Sequence, residues 1–169
     1  TFRNIIEHLE TISSKHYMIN SFHSGMMDEV DINKLGAEDY VILYAEPSNA
    51  TLNTGIMIYS FNLYVLDMIN DVVGDEPNKL REGRIDTYSE NLQILNDVIN
   101  QFKQNLSSTN LNHVGDATNT DAGREIVLET PITLEPFTAR FNNLLTGWSA
   151  TISLQVNNKN NLCDSPYAP

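Results

Sequence analysis

The chain has 169 residues, with 22 Asp and Glu against 10 Lys and Arg and a formal net charge of −12 at pH 7. That length supports one domain with a proper core and leaves little room for a second. The charge argues against direct binding of nucleic acid or an anionic membrane, since affinity for phosphate comes mostly from Lys and Arg; it favours a basic protein partner or simple solubility.

Phe2, Ile5, Ile6, Leu9 and Ile12 recur at helical spacing with Arg3, Glu7, His8 and Glu10 between them, which predicts an amphipathic first helix. The start, Thr-Phe-Arg-Asn, has no signal-peptide pattern, and Thr1 reads as the native start after removal of an initiator Met. Met18–Phe22 is short and mixed and reads as a strand entering Ser24-Gly25. Residues 26–39 are acidic and irregular and read as a loop. Tyr40–Pro47 reads as a strand that Pro47 ends, because proline cannot donate to a ladder. Ser48–Thr54 is then a polar turn leading into an antiparallel partner.

That partner, Gly55–Asn70, is the longest apolar run. Met57, Tyr59, Phe61, Leu63 and Val65 form one apolar face, while Ser60 and Asn62 fall on the other. A period of two with one apolar side predicts a strand laid on a core. Fully extended, it would exceed the usual strand length, so a bend, a bulge or a projecting ribbon is expected.

Asp71–Gly83 reads as a loop. Thr87-Tyr-Ser-Glu90 fits a capping box, and Leu92, Leu95, Ile99, Phe102 and Leu106, widened by Ile94 and Val98, predict a long helix after it. Ser107–Gly123 is polar and long for a loop. Glu125–Thr130 and Ile132–Phe137 alternate like strands around Pro131. Trp148, Ala150, Ile152, Leu154 and Val156 give the cleanest alternation in the chain. The order predicts an α+β fold: a single antiparallel β-sheet with the N-terminal helix and the long helix packed on one face. The domain is expected over residues 1–156, with 157–169 as a polar C-terminal tail.

Motifs for chemistry are lacking. There is no glycine-rich phosphate loop, no Gly-X-Ser-X-Gly elbow and no His-Glu-X-X-His. The lone Cys163 lies in a Pro- and Asn-rich tail, cannot form an internal disulfide, and suggests synthesis in a reducing cytoplasm. His8 and His16 stand two turns apart on one helix, too far to chelate one ion without bending; His23 and His113 add no ligand spacing. Asp67, Asp71, Asp75 and Glu76 are the densest acidic cluster but match no calcium-loop template, and read as a solvated loop rather than a cation site or a divalent-metal active site. Trp148 reads as a core residue, with an interface anchor as the sharper alternative. No cofactor, metal or catalytic residue is expected.

The ordered series of Phe2–Ile12, Ser21-Phe-His-Ser-Gly25, Tyr40–Pro47, Tyr59–Asp67, Asn91–Ile99 and Pro136-Phe137 leading to Gly147–Val156 resembles the tail-terminator and neck proteins of tailed bacteriophages. The likeness spans almost the whole chain and rests on pattern and order. A Tyr-Pro pair often opens the second strand in that family, whereas Tyr40 has no proline beside it. The resemblance implies a structural virion protein, not an enzyme. It would form a homo-oligomeric ring in the neck or tail, terminating the tail or extending the head-tail connector, with portal or tail-tube proteins as neighbours and DNA passing through without specific binding. The alternative is a small acidic adaptor that uses the 107–123 loop or the C-terminal tail. Ile56, Ile58, Tyr64 and Leu66, on the even face of the long strand, and Trp148 are the candidate interface residues. That even face is too apolar to be left to water.

Overall fold

The computed structural model describes residues 2–26, 39–68, 77–107, 126–140 and 145–157. In chain order these form α1 (Phe2–Lys15), β1 (Ser21–Ser24), β2 (Ile42–Asn53), β3 (Ile56–Met68), α2 (Pro77–Ser107), β4 (Ile126–Leu128), β5 (Leu134–Arg140) and β6 (Leu145–Asn157). Most of the 26–39 and 107–123 loops, Asp71, Asp75, Glu76, His113, Cys163 and the tail beyond Asn157 lie outside the described residues.

The long apolar run is the middle of the sheet. β3 pairs antiparallel with β2 on one side and with β6 on the other, in register from Ile56↔Asn157 to Met68↔Leu145. Its odd residues Phe61, Leu63 and Val65 are buried on the helix side together with Leu43 and Ala45 of β2 and Ala150, Ile152 and Leu154 of β6. Against them lie Ile5, Leu9 and Ile12 of α1 and Ile94, Leu95, Val98 and Phe102 of α2. Each fully buried side chain of this size stabilises by ~1.5–3 kcal/mol, so this cluster is the chief source of stability. β3 itself pairs with β6 without a register shift along its whole length; the bulge lies instead in its partner β2, between Pro47 and Asn49.

The expectation of a single antiparallel sheet is wrong. Among the described residues the sheet has six strands, is mixed, and curls strongly into a half-barrel. Its order is β1-β2-β3-β6-β4, with β5 also on β6. The parallel element is β1, which runs alongside β2 from Ser21↔Ile42 to Ser24↔Ala45. Parallel neighbours need a crossover of a dozen or more residues, and the stretch from Gly25 to Val41 meets that length. Side chains at the start of β1 fix the entry: Ser21 Oγ donates to Asp39 O at 2.8 Å, and Asn20 Nδ2 donates to Tyr40 O. The curl follows from two long, twisted central strands and from bulges at Pro47/Asn49 and Phe137/Arg140.

Two boundaries also differ from expectation. Pro47 does not end β2, which continues to Asn53. β1 stops pairing at Ala45, so Pro47 occupies an edge position where a missing donor removes no ladder bond. The long helix begins at Pro77, ten residues before the Thr87 box. Proline is favoured at the first helical position, and once nucleated a helix propagates through a local capping option. Its buried arc is Asn91, Ile94, Leu95, Val98 and Phe102, while Leu92, Ile99 and Leu106 are only half-buried. The arc is turned toward Ile94 and Val98 because α2 touches both α1 and the sheet.

Candidate interface surfaces

β3 alternates strictly, so the residues that do not face the helices share the opposite side of the sheet. Near its C-terminal end this side carries a second apolar cluster: Tyr40, Ile42, Tyr44, Leu66, Phe137 and Leu145. Leu66 is 4% exposed within it. Tyr64 borders it, its ring set edge-on to Phe137 with centroids 6.1 Å apart. Gly147 lies opposite both Phe137 and Leu66. A Cβ at Gly147 would come 1.8 Å from Val65 O and 3.1 Å from the Phe137 ring, so only glycine fits.

Toward the hairpin tip this face becomes polar. Tyr64 Oη donates to Glu46 Oε2 at 3.1 Å, and Asn62 Nδ2 donates to the same oxygen at 3.4 Å. Thr151 Oγ1 donates to Asn62 Oδ1 at 3.0 Å, while Ser60 and Ser153 hydroxyls meet at 3.3 Å. This ladder links β2, β3 and β6 through side chains and accounts for polar residues in an otherwise apolar strand. Beyond it stand Ile58, in register with Thr51 and Gln155, and Ile56, in register with Asn53 and Asn157. Both isoleucines are half-buried, and every residue from Ser48 to Gly55 is exposed.

The five candidate residues therefore do not form one patch. Leu66 and Tyr64 are occupied inside the chain, and Ile56 and Ile58 sit at the far end of the same face. Trp148 is on the helix side, where its indole N–H donates to Tyr88 O at 2.9 Å and its ring meets the Tyr88 ring edge-on. It ties α2 to the sheet, and Tyr88 Oη extends the tie to Phe137 O at 3.3 Å.

A concavity of about 670 Å³ lies between the helices and is lined by Glu7, His8, Thr11, Ile12, Lys15, His16, Asp97, Gln101 and Asn105. Sequence reasoning missed it, because it needs α1 and α2 side by side. His8 Nε2 meets Asn105 Nδ2 at 2.9 Å and its ring lies on Phe102. With the amide donating, Nε2 carries the lone pair. Burial, aided by Lys15, holds the His8 pKa below its ordinary value. His16 Nδ1 accepts from the Met18 N–H at 3.3 Å, and its Nε2 lies 3.9 Å from Asp97 Oδ2. Both imidazoles thus fasten one helix to the other or to the turn after it. Among the described residues no three His, Cys, Asp or Glu side chains converge as metal ligands. Of the acidic cluster only Asp67 is described; its carboxylate accepts the Met68 N–H at 2.7 Å, and burial raises its pKa.

No helix among the described residues is long and apolar enough to cross a membrane. Comparison with protein-family models finds no match, and comparison with curated proteins finds none either.

Proposed function

We propose that this chain is a structural virion protein of a tailed phage, a ring-forming subunit of the neck or tail. It would terminate the tail or extend the head-tail connector and offer a platform to the next component around the DNA channel. The observation that carries this reading is the unequal cover of the β2–β3 hairpin. Ile42–Ala45 and the C-terminal half of β3 are largely buried, whereas Ser48–Gly55 stands in solvent. A sheet that continues past its helices gives a neighbour a rigid, pre-ordered surface. Joining copies head to tail through unlike surfaces closes a ring when the rotation between them closes.

The acidic balance supports the same reading, because a channel of like charge does not hold DNA in transit. Electron microscopy of the full chain at physiological salt tests the proposal. Closed rings of identical subunits are expected, and the protein is expected in purified particles. A chain that stays monomeric at high concentration and is missing from particles overturns it.

A further inference from the structure

Two edges of the sheet that pair with no further described strand reach the same end of the sheet. The register there runs Thr51–Ile58–Gln155–Val127 across β2, β3, β6 and β4. With strands ~4.8 Å apart, the β2 and β4 edges are ~14 Å from each other. On the β2 side, β1 covers only Ile42–Ala45, and no described strand lies beyond Ser48–Asn53. On the far side β4 is the last strand in the order. Each edge exposes a large apolar residue, Leu52 at 65% and Val127 at 47%.

Open edges in monomeric proteins are blunted by charge, especially Lys, or by shortness and proline. The β2 edge after Pro47 has none of these. No charged residue occurs from Pro47 to Leu66, or from Leu145 to Asn157, in a chain of net charge −12. Charge is thus withheld from the strands that build this end of the sheet, where two acidic copies could approach without repulsion. A basic partner would be recognised by carboxylates, and the β2 edge from Ser48 to Asn53 offers none. In the sequence Glu125 precedes β4 and Glu129 follows it, and Glu129 accepts from Gln155 Nε2 at 2.5 Å. An uncharged edge meets those glutamates without repulsion.

We propose that Ser48–Asn53 of one copy pairs with the β4 edge of a second copy of this chain, so that the sheet continues from subunit to subunit. This rests on the ring reading and names its contact. The contact is heterologous, because each copy gives one edge and receives on the other. Backbone N–H and C=O groups of the two edges supply the bonds, and Leu52 and Val127 leave water.

The test is the full chain carrying Ala50→Lys and Leu52→Lys, both at exposed positions, followed by mass photometry and circular dichroism. The expected result is an unchanged spectrum and melting temperature, with assembly shifted at least about tenfold to higher concentration. Gln93→Lys, exposed on α2, is expected to assemble as the parent does. Hydrogen exchange on the parent needs no variant: alternate amides of Ser48–Asn53 gain protection on assembly. Rings that form undiminished in the Lys variant, or edge amides that stay unprotected in assembled protein, overturn the edge contact and leave the ring reading standing. A parent chain that is always monomeric overturns both, and a particle of only two copies overturns the head-to-tail geometry.

Discussion

Asn91 illustrates how much a single side chain departs from the pattern around it. It is fully buried on α2, and neither amide atom has a hydrogen-bond partner among the described residues. A buried unpaired amide costs ~1–3 kcal/mol relative to an apolar group of the same shape. Asn91→Leu is therefore expected to stabilise by ~1–2 kcal/mol in urea unfolding, and a loss would mean that the amide is bonded. His8 makes a pH statement. Its pKa in the folded chain is depressed, so the neutral ring is the native form. Its contribution is present above ~6.5, the ordinary value, and is lost as pH falls toward the folded value, where the unfolded chain binds the extra proton. Melting temperature should fall as pH drops from 7 to 5, and His8→Gln should flatten that fall. Lys15, Glu7, His16 and Asp97 share the cleft and remain in the variant.

At the scale of elements, the hairpin separates into a part that folds the chain and a part that extends from it. Tyr64 packs on Phe137 and bonds Glu46, so Tyr64→Asp removes packing and sets a like charge beside a carboxylate. A loss of ~2–4 kcal/mol is expected. Ile58→Asp, beyond the polar ladder, should cost less than half as much in the same denaturation experiment. The alternation in β3 reports the helix-side face correctly, since Phe61, Leu63 and Val65 are all buried. It does not report that Leu66 and Tyr64 are used on the other face. That depends on Phe137, which β6 brings alongside through a strand pairing unreadable from either segment. The same holds for Trp148: its spacing marks the helix side, but its bond to Tyr88 O depends on where α2 lands.

For the whole molecule, the distribution of charge matters more than its sum. Twenty-two acidic residues act against self-association unless the approach surface is free of them. Screening at physiological salt acts over ~8 Å, which is why assembly is examined there and not at low ionic strength. The half-barrel curl places helices on one side, a polar ladder on the other, and at one end two strand edges that pair with no further described strand. Of these, the β2 edge from Ser48 to Asn53 combines exposure with freedom from charge.

Periodicity and composition alone determined a good deal of this protein. The apolar stripe of Phe2–Ile12, the β3 run and the Trp148–Val156 alternation each specify an element and its buried side, because those signals lie in neighbours a few residues apart. What required the tertiary structure was everything set by residues far apart in the chain: the parallel seat of β1, the shared edge of β4 and β5 on β6, and the cleft that gathers His8, His16 and Asp97. Strand direction and pairing partner are chosen by the global burial that results, and a local pattern is equally satisfied by several of them.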